Sequence, residues 1–188
     1  MSHFCARAPL PEDHASFAAF ERKNRAPFEQ FNEPRPPGYY SDAGLAQAFD
    51  RLLMRQGSEG FLTRVLTRPD STHWLGKGSL SVHPSDGDRF AMLVYQVDQH
   101  HWKQGAGRAL LSDLLEHAQA MGLSSARAQI AADNTVSLHL LRRAGFKVNG
   151  WDKPANLRRG SIDCLLLSRS LRPAVGVALT GSHVHLSA

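Results

Sequence analysis

The feature that most constrains the fold is a glycine-bearing turn between an apolar strand-like run and an amphipathic helix. The run covers residues 89–97, the turn covers 102–108, and apolar residues then recur at helical spacing over 109–121. A strand, a small-residue turn and a helix start together direct backbone N–H groups and a positive helix end toward an anion. Gly105 and Gly107 lack a Cβ, so a phosphate can approach the main chain closely. A plain tight turn is the alternative interpretation.

The remaining pattern predicts one α+β domain over residues 1–171. The 188 residues are 42% hydrophobic and 21% charged, which suits a single sizeable core. Segment 25–40 holds four prolines and is predicted to be an ordered loop over a cleft rather than a helix. Residues 172–188 are predicted to form a flexible tail, with a partner-binding strand as the alternative. Periodicity and turn signals predict helices at 11–24, 43–56, 109–121 and 134–145, and strands at 2–8, 61–67, 72–82, 89–97, 126–130, 146–148 and 162–168.

Composition limits the cellular compartment and the classes of partner that are expected for this chain. No apolar run reaches the roughly 18 residues of a membrane span, and the first residues show no signal peptide. Cys5 and Cys164 are predicted to be buried thiols rather than a disulfide or metal ligands, so a cytoplasmic location is expected. The net charge of +5 suits a polyanionic ligand. Nucleic acid is disfavoured, because no dense basic tract interleaved with aromatic residues is present.

Two further motifs follow the glycine turn at a characteristic distance: NTVS at 134–137 and RAGF at 143–146. The series resembles the GCN5-related N-acetyltransferase superfamily over residues 2–171, most specifically over 95–146. Segment 23–25, Phe28, Glu33 and the tyrosines at 39–40 resemble the branch of ribosomal-protein alanine N-terminal acetyltransferases. The resemblance implies an α+β fold with a mixed, mostly antiparallel sheet of six to seven strands. It also implies that this sheet splays at the coenzyme site and that about four helices flank it.

The resemblance implies acetyl-CoA as the acetyl donor and no metal. A strand end would bind the pantetheine arm, the turn would cradle the pyrophosphate, and Asn134 would bond the pantetheine arm. The implied coenzyme-binding residues are Tyr95, Gln96, Val97, Trp102, Lys103, Gln104, Gly105, Ala106, Gly107, Arg108 and Asn134. Related families usually carry Arg or Gln at position 102 and often Gly at 103. Trp102 therefore either covers the adenine side or packs.

The catalytic residues are less well defined by the resemblance. Many superfamily members carry a tyrosine acid seven residues after the asparagine, where this chain has Leu141. Ser137 matches a serine implicated in the branch and is the predicted proton donor; a first-turn serine bonding the backbone is the alternative. A strand N–H near Val97 or Asp98 is expected to polarise the thioester carbonyl.

The general base is an open question in the sequence. The carboxylate of the branch falls near Asn156 here, so Glu33 is the candidate, and a solvated or loop-stapling carboxylate is the alternative. Asp152 and Asp163 are weaker candidates, and Asp163 is expected to contact Arg158 or Arg159. His100 and His101 form a further acid–base option, for which solvated or packing histidines are favoured. A water-relayed base, or none, also remains open.

The predicted function is acetyl transfer to a primary amine, with a protein N-terminus as the favoured acceptor. A small amine such as an antibiotic, polyamine or amino acid is the alternative acceptor. A second class of function is a coenzyme A sensor without turnover, and a third is a nucleic-acid-binding domain. Crowding of Glu12, Glu29 and Glu33 at the acceptor mouth would suit a basic peptide. Dimers are common in the superfamily, and a homodimer is left open.

Overall fold

The computed structural model describes residues 4–56 and 58–171; the tail assigned to 172–188 lies outside them. A 3₁₀ turn at Pro11–Asp13 precedes the first helix, and another at Gln99–His101 follows the fourth strand. The strands are β1 Cys5–Arg7, β2 Phe61–Thr67, β3 Gly76–Ser85, β4 Asp88–Val97, β5 Ser125–Ala131, β6 Lys147–Leu157 and β7 Gly160–Ser170. The helices are α1 His14–Lys23, α2 Arg25–Glu29, α3 Asp42–Gln56, α4 Ala106–Ala120 and α5 Thr135–Arg143.

The strands form one seven-stranded mixed sheet in the order β1-β2-β3-β4-β5-β7-β6. Every neighbouring pair is antiparallel except β4 and β5, which are parallel. Pairing between β4 and β5 covers only three residue pairs, from Phe90 with Ser125 to Met92 with Arg127. Beyond Met92 the two strands separate, and a gap opens in the middle of the sheet. The expected α+β architecture with a splayed, mostly antiparallel sheet is confirmed.

Alternation along the strands places different helices on the two faces of the sheet. On β2, Leu66 packs toward α4 and Val65 packs toward α1 and α3. The α4 face holds the larger core, to which α5 contributes Leu141, a residue with no exposed surface. The opposite face holds an aromatic cluster formed by Phe17, Phe20, Phe28, Phe49 and Trp74.

Four sequence expectations need correction. Segment 25–40 begins with the short helix α2, because Pro27 lies in its first turn, where a missing N–H removes no helical hydrogen bond. The third strand starts at Gly76, and the closing strands β6 and β7 are far longer than the apolar runs that predicted them. Much of β6 faces solvent on both sides, so it lacks the alternation that signals a strand. Cys5 is exposed, whereas Cys164 is buried; both thiols are free.

Candidate functional site

The gap between β4 and β5 exposes backbone groups of β4. The Ser124 amide bonds the Arg89 carbonyl across the β4–β5 side, and the Asp98 amide bonds the Leu75 carbonyl on the β3 side. Because backbone groups alternate sides along a strand, those of Tyr95 and Val97 point into the gap. The backbone of Gln96 faces β3, and its side chain lines the opposite face of the sheet. The Asp98 amide is thus already bonded, which leaves Val97 as the strand donor.

The turn after β4 delivers the start of α4 to this gap. Gly105 is the N-cap in the left-handed region, with φ +91°, and no side chain caps the helix. The first helical hydrogen bond runs from the Ala109 amide to the Gly105 carbonyl. The amides of Ala106, Gly107 and Arg108 therefore have no partner within the helix. These donors, together with the positive helix end, suit an anionic group.

Glycine is favoured at two positions of the turn for different structural reasons. A Cβ at Gly105 would approach no atom nearer than 4.0 Å, so its positive φ is what favours glycine. A Cβ at Gly107 would lie 2.9 Å from the Cδ2 atom of Leu140, so Gly107 permits close packing of α4 on α5. Lys103 also adopts a left-handed conformation, with φ +59°. A side chain is strained in this conformation, so glycine would fit position 103 better than lysine.

The polar side chains of the turn fall into bonded and exposed groups. The indole of Trp102 donates from Nε1 to the Val97 carbonyl over 2.8 Å, and its ring packs against the cluster beside the gap. Trp102 therefore packs and occupies one of the carbonyls facing the gap. Gln104 donates to the His100 carbonyl over 2.7 Å. Arg108 and Lys103 are exposed and are available to an anion in solvent.

A hydroxyl pair lies across the gap from the turn. The Tyr95 hydroxyl and Ser137 Oγ are 2.6 Å apart, joining β4 to the first turn of α5. Asn134 caps this helix, since its Oδ1 accepts from the Ser137 amide over 3.1 Å. Burial raises the pKa of Tyr95 to about 12, while the bond to Ser137 acts in the opposite direction. Tyr95 thus keeps its proton at neutral pH and can donate it to Ser137.

A large cleft of about 980 Å³ covers the face of the sheet opposite α4. Both gap strands contribute to its floor, through Val94 of β4 and Ile130 of β5, so the gap opens into the cleft. The loop after α2 borders the cleft through Phe31, Glu33 and Tyr39, as the sequence predicts for segment 25–40. Among the described residues that line the cleft, Ser137 does not occur.

Glu33 and Ser137 therefore approach the gap from different sides. Glu33 is exposed at the cleft, and its Oε1 accepts from the Asn156 amide over 3.3 Å. Its carboxylate thus lies beside the backbone of Asn156. Asp152 lines the same cleft. Asp163 does not form the expected ion pair with Arg158 or Arg159. Arg158 pairs with Glu29 and Arg159 with Asp133, because the β6–β7 turn reaches over α2 and the start of α5.

A buried ion pair under the cleft was missed from the sequence. Glu21 of α1, whose side chain is 1% exposed, pairs with Lys77 of β3 and accepts from the Tyr39 hydroxyl over 3.0 Å. Burial lowers the pKa of Lys77, and the Glu21 carboxylate opposes that shift. The two residues are 56 positions apart, so no local pattern could have joined them.

A second missed pair supports the turn before the glycine loop. Asp98, which is 2% exposed, pairs with Lys23 over 2.6 Å and accepts from His100 Nδ1 over 2.9 Å. Burial opposes ionisation of Asp98, but the bonds from Lys23 and His100 hold its pKa below the usual value. His100 thus has a structural contact here, as favoured from the sequence. Within residues 4–56 and 58–171, no three His, Cys, Asp or Glu side chains converge to hold a metal ion.

An open mixed sheet, with two central strands parting around a helix start, defines the class of α+β acyltransferases that use a thioester carrier. The chain belongs to the acetyltransferase (GNAT) domain family, whose sequence model matches residues 3–147. The superfamily resemblance and the assignment as an acetyl-CoA-dependent acyltransferase are thereby confirmed. A comparison with curated proteins found no match.

Solved structures with the same fold include ribosomal-protein acetyltransferases. A ribosomal-protein-S5-alanine acetyltransferase from Vibrio fischeri matches with TM-score 0.81 and 18% identity over 92% of this chain and 97% of that one. RimJ of Mycobacterium smegmatis, in complex with CoA-disulfide, matches with TM-score 0.78 and 18% identity over 89% and 81%. The putative acetyltransferase yncA from Salmonella typhimurium, with acetyl-CoA, matches with TM-score 0.67 and 20% identity over 93% and 97%. At these identities the likeness establishes the fold alone.

Proposed function

We propose that this acyltransferase acetylates the α-amine of a protein or peptide N-terminus, using acetyl-CoA. The observation that carries the proposal is the gap between β4 and β5, which has a helix start on one side and a cleft of about 980 Å³ on the other. Such a cleft is large enough for several peptide residues. The known ribosomal-protein acetyltransferases of the same fold support this acceptor class. We include residues 1–171 as one functional domain and the cytoplasm as the compartment, in keeping with two free thiols.

The residues around the gap fit the coenzyme. The unpaired amides of Ala106, Gly107 and Arg108 would hold the diphosphate, with Lys103 and Arg108 side chains adding charge. The Tyr95 backbone would bond the pantetheine arm as an added strand, and the Val97 amide would bond the thioester end of the same coenzyme. Trp102 and Gln104 support this arrangement by donating to the Val97 and His100 carbonyls, while the free amide of Asn134 would reach the arm.

The chain supplies the remaining requirements of acetyl transfer. Acetyl-CoA, when bound, supplies the thioester whose C–S bond breaks as the C–N bond to the amine forms. The Val97 amide would stabilise negative charge on the carbonyl oxygen. Ser137 would donate a proton to the leaving sulfur and recover one from Tyr95, whose hydroxyl would regain its proton from solvent when the product leaves. Glu33 would accept the amine proton directly or through water, from the cleft side.

Thiol release from acetyl-CoA tests the proposal with a panel of N-terminal peptides, polyamines, amino acids and amine antibiotics. We expect release with unblocked peptides and none with the same peptides carrying a blocked N-terminus. Turnover of small amines alone would favour the alternative acceptor class. Tight binding of coenzyme A by calorimetry, without release for any amine, would instead indicate a sensor.

The structure offers one argument against a polyamine. Among the described residues, the cleft is lined by the basic side chains of Arg35, Arg51, Arg55, Lys77 and Lys153 and by the acidic ones of Glu33 and Asp152. Glu29 is paired with Arg25 and Arg158, and Glu12 does not line the cleft, so the acidic mouth considered from the sequence does not form. A positive cleft repels an acceptor with several positive charges.

A further inference from the structure

We infer that the acceptor is an acidic N-terminal peptide whose carboxylate, at about its fifth or sixth residue, is bound by Arg51 and Arg55. This inference rests on the proposed function and specifies its substrate. Both arginines lie on α3, four residues apart, and both line the cleft. In residues 4–56 and 58–171, neither guanidinium forms an ion pair with a carboxylate. They are therefore available to a ligand.

The two arginines repel each other in the absence of an anion. Residues four apart on a helix lie on one face, and like charges at that spacing destabilise a helix. Arg55 is also held in place, with its guanidinium carbon 3.9 Å from the centre of the Phe61 ring. A stacked guanidinium keeps its N–H donors free at the ring edge, where a carboxylate can accept from them. The pair is thus positioned for an anion that the described chain does not supply.

The other cations of the cleft are less available. Lys77 is paired with buried Glu21, and Arg35 lies 4.0 Å from the same carboxylate and over the Tyr39 ring. One buried negative charge thus partly compensates these two positive ones. The unbalanced positive charge is concentrated at the α3 side of the cleft, which distinguishes this side from the β6 side where Asp152 lies beside Lys153.

The sheet fixes how far this charge lies from the gap. α3 packs over β2, since Arg55 stacks on Phe61, and the sheet order places β2 two strands away from β4. Two strand spacings amount to about 10 Å across the sheet. Phe61 pairs with Ser81, and Ser81 pairs with Met92, five residues before Val97, which adds about 17 Å along the strands and makes the separation roughly 20 Å. An extended peptide advances roughly 3.3–3.6 Å per residue, so about five or six residues separate the reacting amine from Arg55. A free amino acid is too short to reach both places, which favours a peptide over that alternative.

Acetylation of matched peptides tests the inference. One series carries a single Glu moved from position 2 to position 8, and the control series carries Gln at the same positions. We expect kcat/KM to be about 5- to 10-fold higher for Glu than for Gln at position 5 or 6, with little difference at position 2. Equal kcat/KM at every position would overturn the inference.

Arginine variants identify the residues responsible. In the double variant Arg51→Ala with Arg55→Ala, the Glu advantage should disappear. The control Arg68→Ala removes the same charge from the exposed β2–β3 turn outside the cleft, and it should retain the full advantage. In Arg51→Glu, a peptide with Lys at position 5 or 6 should become the better substrate. If the double variant still has a higher kcat/KM for Glu peptides than for Gln peptides, the peptide carboxylate binds at another site.

Binding separates failure of this inference from failure of the proposed function. If no peptide releases thiol, the proposed function fails. The inference is then judged by fluorescence anisotropy of labelled peptides with the protein saturated with coenzyme A. Weaker binding of Gln peptides than of Glu peptides would still support it, whereas equal dissociation constants would refute it.

Discussion

The hydroxyl pair of Tyr95 and Ser137 gives the sharpest test of the proposed chemistry. If Ser137 donates the proton to the leaving sulfur, Ser137→Ala should lower kcat at least about 10-fold. Tyr95→Phe keeps the ring and removes only the hydroxyl that lies 2.6 Å from Ser137. A neutral hydrogen bond contributes about 0.5–1.5 kcal/mol, which corresponds to about a 2- to 12-fold loss in kcat.

The double variant distinguishes a relay from two independent effects. Because Tyr95 acts through Ser137, the double variant should have a kcat within about 2-fold of Ser137→Ala alone. This corresponds to a coupling of about 1 kcal/mol. The assay is thiol release at saturating acetyl-CoA and acceptor, accompanied by the dissociation constant for coenzyme A. We expect that constant to change little in Tyr95→Phe, since its backbone, rather than its hydroxyl, would bond the pantetheine arm.

A matched control and a pH profile complete the test. Tyr40→Phe removes a phenol outside the cleft lining and should leave kcat unchanged. Since the pKa of Tyr95 is about 12, its proton should be retained, and no loss of rate below about pH 10 should trace to it. An undiminished rate in Tyr95→Phe would refute the relay. The relay would also be refuted if the fold-loss of kcat in the double variant equals the product of the fold-losses in the two single variants.

Two further predictions concern stability. Lys103→Gly should raise the free energy of unfolding by about 0.5–1 kcal/mol in urea, because relief of left-handed strain exceeds the entropy cost of glycine. Lys103→Ala removes the same charge but keeps the strain, so only Lys103→Gly should be stabilised, and equal stabilities would contradict this account. Arg7→Ala should destabilise the protein by about 3 kcal/mol, because it leaves the Asp13 carboxylate, 1% exposed, without its partner. Burial opposes ionisation of Asp13, but the bonds from Arg7 hold the pKa of this carboxyl below its usual value of 3.8. The stabilisation of the folded state by the ion pair is therefore fully present above the usual pKa, and it is lost as the pH falls through the lowered pKa. In Arg7→Ala, unfolding free energies measured between pH 6 and 2 should fall less with acid than in the parent, and parallel curves would contradict the assignment.

None of the helices in residues 4–56 and 58–171 combines the length and apolar character needed to cross a bilayer.

Local signals in the sequence predicted much of the frame of the site. The apolar run, the glycine turn and the helical spacing that follows it correspond to β4, the turn and α4. The NTVS motif predicted a helix start, and Asn134 caps α5. These features are readable because they depend on periods of two and 3.6 residues and on backbone conformations that few residue types adopt. Prolines in 25–40 likewise predicted a loop, although they concealed the single turn of α2.

Only the tertiary structure decided which side chains meet at the gap. Ser137 was read from a motif, but its partner Tyr95 lies 42 positions earlier, and Glu33 bonds the backbone of Asn156 across 123 positions. The sequence predicted that Gly107 lets a phosphate approach the main chain closely. In the structure, its missing Cβ also makes room for the Leu140 side chain. The sequence determined the local elements because each depends on neighbouring residues. The strand order and the packing of helices on the sheet determined the pairs, because distant segments meet only when the whole sheet has formed.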